Sequence, residues 1–268
     1  MLDKKVLFIG GGNMAEGIIR GQIKSDAIKK ENIYVYEILE SRSKYLKDEF
    51  GIQIVSSLKE ALQTADIVFI AVRPQNAIEV LAQVKEAGNT KALILSICAG
   101  ITLTTMVETL SSEYRIARIM PNVLIEAQHG YSGVCINPMV TGEDKSDIEY
   151  LLKALGQTMF IDEVLFNEFT AFSCAGPAYI FSFITAMIDA GVHSGFSRDD
   201  ARNIVLANMI GSAKMVELTG KHPYEIIDTM TSPAGVTIEG IKTLNEKGFQ
   251  GIVMNCVHDA VKKAQDLS

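Results

Sequence analysis

The chain has little that would staple it or tether it elsewhere. Its 268 residues hold four scattered cysteines, Cys98, Cys135, Cys174 and Cys256, with no C-x-x-C pair. This argues against a disulfide framework or a structural zinc site and points to a reducing compartment, so the expected location is cytoplasmic. The four histidines, His129, His193, His222 and His258, show no ligand spacing, and no metal is expected. Neither G-x-S-x-G nor H-E-x-x-H occurs, which leaves hydrolase readings without support. No run approaches the ~18 consecutive apolar residues of a membrane span. Gly10, Gly11 and Gly12 cut the first apolar run too early for a secretory signal. Positive charge is also short: 25 Lys and Arg stand against 32 Asp and Glu, a formal net charge of −7. A general nucleic-acid binder carries a basic face, so neither nucleic acid nor membrane is an expected partner.

What is present is a well-supplied core. Hydrophobic residues make up 48% of the chain, enough for one large or two small domains without staples. Short β-rich runs alternate with helical stretches over residues 1–161. The expected strands are Lys5–Ile9, Ile33–Tyr36, Ile52–Val55, Ile67–Ala71, Ala92–Ile97 and Arg115–Ile119. Several are continuously apolar, as strands covered on both faces are. Helices are expected at Met14–Lys24, Ser41–Phe50, Leu58–Gln63, Asn76–Glu86 and Glu143–Leu155, with further edge strands at Tyr131–Ile136 and Thr158–Ile161. This order reads as an α/β fold, a Rossmann-type doubly wound sheet in a dinucleotide-binding domain over 1–161.

Residues 162–268 read as all-helical. A long apolar helix is expected over Glu163–Ala190, broken near Cys174-Ala175-Gly176-Pro177. Helices should follow from Ser197, over Tyr224–Met230, from about Thr237 to Glu246, and over Ile252–Lys263. A helix as apolar as Phe181–Ile188 must be covered, either as a central core helix or at a helical dimer interface.

Gly10-Gly11-Gly12-Asn13-Met14-Ala15 is a G-x-G-x-x-A loop between the first strand and the first helix. Gly10 permits a tight turn, Gly12 clears the approach of a pyrophosphate, and Ala15 lets the helix pack close. The helix start offers free N–H groups and a partial positive charge. Glu37 ends the second strand, where an acid accepts ribose hydroxyls and repels a 2′-phosphate. The cofactor is therefore NADPH or NADH, with Glu37 tilting toward NADH; the nearby Arg42 could instead accommodate a phosphate. Arg73, in Ala71-Val72-Arg73-Pro74, lies after a central strand and could meet a cofactor phosphate. Ser232-Pro233-Ala234-Gly235-Val236-Thr237 offers small residues at a helix start, which suits a carboxylate or a plain helix cap. The Thr237 hydroxyl could meet a substrate nitrogen.

These motifs resemble the pyrroline-5-carboxylate reductase family. The resemblance rests on Phe8–Ala15, Ala65–Gln75, Ser96–Thr102, Arg118–Asn122, Gly176–Phe181 and Thr231–Thr237, and covers nearly the whole chain. It implies hydride transfer from NAD(P)H to the cyclic imine of 1-pyrroline-5-carboxylate, giving L-proline. It places the cofactor on Gly10, Gly11, Gly12, Asn13 and Met14, on Ala71, Val72, Arg73 and Pro74, on Ile97, Cys98 and Ala99, and at Asn122. It puts the substrate carboxylate on the N–H groups of Gly235, Val236 and Thr237, with the Thr237 hydroxyl at the ring nitrogen as the catalytic contact. It also implies a dimerisation and substrate-binding domain over 162–268, an intertwined homodimer whose sites combine two chains, and a decamer of five dimers. The chain departs from the family where Val123-Leu124 replaces the usual Thr-Pro, Ala234-Gly235-Val236-Thr237 stands for Gly-Gly-Thr-Thr, and Leu58 replaces an asparagine. A paralogue acting on another cyclic imine or a related small acid is the alternative, and a nucleotide sensor without turnover is a third reading.

Overall fold

The computed structural model describes residues 1–266. Two compact units divide the chain, Met1–Cys174 joined by the chain end from Val261, and Ala175–Ala260.

The first unit carries β1 (Val6–Ile9), α1 (Asn13–Lys24), β2 (Ile33–Tyr36), α2 (Glu40–Phe50), β3 (Gln53–Ile54), α3 (Leu58–Thr64) and β4 (Ile67–Ile70). It continues with α4 (Pro74–Ala87), β5 (Leu93–Ser96), α5 (Leu103–Leu110), β6 (Arg115–Pro121), β7 (Gly130–Ile136), α6 (Gly142–Lys153), β8 (Gly156–Phe160) and the short α7 (Phe166–Phe169). One sheet runs β3-β2-β1-β4-β5-β6-β7-β8. It is parallel except where β7 lies antiparallel to β6. The doubly wound sheet is thus as the sequence implied. β7, however, is not an edge strand, because β8 pairs with its free side.

Alternate residues of the central strands feed two cores. Val6, Phe8, Ile67 and Phe69 pack with Ile18, Ile19, Leu46 and Leu151, from α1, α2 and α6. Leu7, Ile9, Val68 and Ile70 pack with Leu62, Leu81, Val84 and Met106, from α3, α4 and α5. Both faces of the sheet are therefore covered, which is why β1 and β4 are apolar at every position. Phe8 and Phe69 stack across neighbouring strands, ring centroids 4.6 Å apart.

Sequence order and strand order diverge at β1, since β2 lies on one side of it and β4 on the other. That reversal opens the sheet at the carboxyl ends of these strands, the usual place for a ligand in such folds.

The first unit runs on past residue 161, where the sequence placed the domain boundary, to Cys174. Phe166 is buried, and the Arg118 guanidinium lies over its ring. The expected long helix from Glu163 is also interrupted earlier than its proline suggests. A 3₁₀ turn (Glu163–Leu165), α7 and a π-helical turn (Thr170–Cys174) precede α8 (Gly176–His193). Pro177 then sits in the first turn of α8, where its missing N–H has no cost.

The second unit holds α8, α9 (Arg198–Thr219), α10 (Pro223–Met230), α11 (Val236–Glu246) and most of α12 (Phe249–Asp266). Ser197 caps α9 by accepting the Asp200 N–H. Gly191 lets α8 approach α9, since a Cβ there would lie 2.8 Å from the Ala201 Cβ. Little of this unit is buried. Ile180, Phe181, Met187, Ile210 and Met254 are all more than 40% exposed. The run Glu163–His193 is long and apolar enough by length and composition to cross a membrane, and only 11% of its most apolar stretch is buried. α8 is therefore not a helix buried in the core of its own chain, and its apolar surface requires a cover from outside.

Candidate active site

At the carboxyl ends of β1, β2 and β4 lies a crevice of about 930 Å³. Of the residues expected to hold a cofactor, Gly10, Gly12, Asn13, Glu37, Ala71, Val72 and Arg73 line it. Gly11, Met14, Pro74, Ile97, Cys98, Ala99 and Asn122 are not on its walls.

The glycines differ in what they do. Gly10 has φ +98°, and a Cβ there would sit 2.6 Å from the Ala71 carbonyl oxygen. The ends of β1 and β4 can approach only because no side chain stands between them. Gly12 starts α1 with ordinary φ, and a Cβ added to it would meet nothing within 4 Å. It clears open space on the crevice wall. No side chain caps α1, so its first N–H groups remain free for a ligand. An uncapped helix start beside a cleared wall fits a dinucleotide pyrophosphate.

Gly11 is buried beside the crevice wall and is held from both sides. Its N–H donates to Glu37 Oε2 at 2.8 Å, and its carbonyl accepts from Arg42 Nε at 2.6 Å. Leu39 N–H donates to the other Glu37 oxygen at 2.9 Å. Arg42 also bonds Glu16 Oε2 at 2.5 Å and lies over the Tyr45 ring. Burial works to raise the Glu16 carboxyl. Hydrogen bonds from Arg42, Arg20 and Tyr45 outweigh it and hold the group below the usual carboxylate range.

The remaining expected contacts lie behind or beyond the wall. The buried Cys98 thiol donates to the Val72 carbonyl, and burial pushes its pKa up. It braces the wall beneath Val72. Asn122 spends its amide on the fold. Its Oδ1 accepts from Leu124 N–H at 3.2 Å and Tyr131 N–H at 3.3 Å, and its Nδ2 donates to the Ser173 carbonyl. A proline at position 124 would lack the N–H that Leu124 supplies.

Residues 36–45 and α4 supply wall positions that the sequence reading did not single out. Tyr36, Tyr45, Asn76, Glu79, Val80 and Gln83 all line the crevice. The last four recur at helical spacing along α4, a signal the sequence does carry. Leu58 lines the crevice as well.

In the second unit, Ser232–Gly235 forms a turn ahead of α11, closed by the Gly235 N–H donating to the Ser232 carbonyl at 3.0 Å. The Gly235 N–H is thus already used, which corrects its expected part as a carboxylate donor. Its lack of a side chain is what matters, since a Cβ would lie 2.5 Å from Ser232 Oγ. Ala234 takes φ +57°, a left-handed conformation costing an alanine about 1–2 kcal/mol. No side chain caps α11, so Thr237 is not the cap of this helix. Thr229, Thr231 and Thr243 turn their hydroxyls onto helix carbonyls. Thr237 makes no such bond among the described residues and stays half-exposed beside the free Val236 and Thr237 N–H groups.

Known proteins align with this chain end to end. The family described as pyrroline-5-carboxylate reductase dimerisation matches residues 163–267, and the family described as NADP oxidoreductase, coenzyme F420-dependent, matches residues 5–100. The pyrroline-5-carboxylate reductase of Aquifex aeolicus is 39% identical, covering 100% of this chain and 98% of the relative. That of Escherichia coli is 37% identical, covering 100% and 99%. The crystal structure of the Plasmodium falciparum pyrroline carboxylate reductase with NADP bound superposes with a TM-score of 0.89 at 31% identity, covering 100% of this chain and 99% of that one.

Proposed function

Because the chain belongs to the pyrroline-5-carboxylate reductase family, we infer that it reduces the cyclic imine of 1-pyrroline-5-carboxylate to proline, the last step of proline biosynthesis. The observation that carries this reading is the pairing of two open helix starts in one chain, α1 beside a cleared glycine wall and α11 beside an unengaged threonine.

Asn13, Met14 and the first turn of α1 would hold the pyrophosphate of NAD(P)H, with Gly12 giving it room. Ala71, Val72 and Arg73 would bound its other side. Bound there, NAD(P)H supplies the hydride. In the second unit the Val236 and Thr237 N–H groups would hold the substrate carboxylate, and the Thr237 hydroxyl would bond the ring nitrogen. A hydrogen bond at that nitrogen stabilises the change from imine to amine and keeps the imine carbon electrophilic without a strong base.

The dimerisation family matched over 163–267 indicates that the protein self-associates. A second copy is the natural cover for the apolar surface of α8, and a decamer of five dimers, working in the cytoplasm, is the assembly that fits this reading. The test is a steady-state assay with racemic pyrroline-5-carboxylate and each reduced nucleotide, followed by chiral analysis of the product. L-proline is the expected product; nucleotide oxidation without proline would refute the reading.

A further inference from the structure

One end of the crevice carries a carboxylate and a guanidinium in unequal situations. Glu37 follows β2, and its two oxygens take the N–H groups of Gly11 and Leu39. That fixes the carboxylate on the crevice wall, while each oxygen keeps a second lone pair for a hydroxyl. Arg42 also lines this wall and is the cation nearest Glu37 in sequence. Its Nε is spent on the Gly11 carbonyl and its Nη2 on Glu16. Its face is covered by Tyr45, 5.0 Å from ring centroid to guanidinium carbon. Glu16 is itself anchored by Arg20 at 2.6 Å and by Tyr45 at 3.0 Å, so it does not swing away with Arg42. Arg73, the other guanidinium of the crevice, follows β4, and β1 stands between β4 and β2.

A diol meeting this wall finds a fixed acceptor. A phosphate meeting it finds a fixed negative charge, and a guanidinium already paired with Glu16, with its Nε and Nη2 both bonded. Resting on the reading of the crevice as a dinucleotide site, we propose that this reductase selects NADH over NADPH, with Glu37 as the excluding group and Glu16 as the positioning residue that withholds Arg42 from a 2′-phosphate. Gly11, held by Glu37 at its N–H and by Arg42 at its carbonyl, makes the selection part of the cofactor loop itself.

Binding and turnover test this together. The chain has no tryptophan, so the fluorescence of a bound reduced nicotinamide is read without indole interference. NADH and NADPH are titrated separately, and kcat/KM is measured with each. The native protein is expected to favour NADH by about tenfold or more in Kd, the scale of a like-charge contact. Glu37→Gln keeps an acceptor oxygen and removes the charge, and should narrow the gap in Kd and KM. Adding Glu16→Gln should tighten NADPH further, because Arg42 then has no carboxylate partner. Arg42→Leu in that background should cancel the added gain. Native protein that binds NADPH as well as NADH overturns the proposal, and needs no variant to fold. A gain that survives Arg42→Leu overturns the part given to Glu16. Failure to bind either nucleotide overturns the dinucleotide site itself, so the two failures are told apart.

Discussion

Arg118 and Glu163, 45 positions apart in the chain, meet at 2.6 Å. Arg118 is 4% exposed on β6, and its guanidinium lies over the Phe166 ring at 4.0 Å. The same Glu163 oxygen accepts the Leu103 N–H at the start of α5, at 2.7 Å. One carboxylate thus joins a strand, a helix start and the segment that leads into the helical region.

Removing that carboxylate leaves a buried guanidinium without its ion partner. Glu163→Ala should cost about 2–3 kcal/mol, at or just below the ~3–5 kcal/mol of a fully buried pair, since Glu163 keeps some solvent contact. Chemical denaturation measures it. Arg118→Met in the same background should recover the part of the loss owed to the unpaired guanidinium, because an apolar side chain suits the Phe166 surface, while the Leu103 N–H stays without its acceptor. No recovery would show that the pair is not the source of the effect.

Gly10 and Gly12 should separate stability from binding. Gly10→Ala forces an unfavourable φ and a clash with the Ala71 carbonyl, and should lower stability by about 1–3 kcal/mol. Gly12→Ala meets open space, so its melting temperature should stay near native. Its added methyl would crowd the pyrophosphate, and affinity for the reduced nucleotide should fall about tenfold. Thermal melts and nucleotide titrations of both variants check the contrast.

Thr237→Ala should lower kcat/KM by roughly one to two orders of magnitude, the loss of one hydrogen bond of about 1.5–3 kcal/mol in the transition state. Thr237→Ser keeps the hydroxyl and should restore most of the rate. Because Thr237 does not cap α11, the alanine variant should melt near the native temperature. Unchanged kinetics would remove Thr237 from the chemistry.

Asp144 gives the acid side of the stability profile a defined sign. Burial works against its charge, but the backbone and hydroxyl of Thr141 and the Arg115 guanidinium more than compensate, so its pKa lies below the usual aspartate value. A carboxyl depressed in the folded state stabilises fully above its unfolded pKa of about 3.9 and ceases to do so as pH falls through the folded value. Asp144→Asn should therefore cost about 1–2 kcal/mol at neutral pH, with the variant and native curves converging in strong acid. Denaturation midpoints at several pH values would reveal a constant offset instead if the charge were irrelevant.

Much of the first unit was legible because its signals are local. β1 and β4 are continuous apolar runs, which only strands covered on both faces require. The glycine loop and the acid after β2 stand at spacings that the nucleotide-binding turn itself demands. α5 escaped notice because Leu103–Leu110 holds three threonines, poor helix formers, and is held instead by burial of Met106 and Leu110 and by the Thr102 cap. Asn122 read as a cofactor contact, yet its amide serves Leu124, Tyr131 and Ser173, the last 51 positions away. Nothing in the Met-Pro-Asn motif announces a partner at that distance. The engagement of the Gly235 N–H by Ser232 was hidden for a different reason, since it depends on the left-handed turn at Ala234.

Periodicity, turn residues and glycine spacing were enough for the α/β order, the helical second half and the glycine loop at the start of α1, since each depends on neighbours within a few residues; that α11 also starts uncapped came from the structure. Which oxygen holds Gly11, which cation is withheld, and where the first unit ends were settled by packing alone. Those outcomes depend on groups 26 to 45 positions apart, brought together when the sheet closes and their desolvation requires partners.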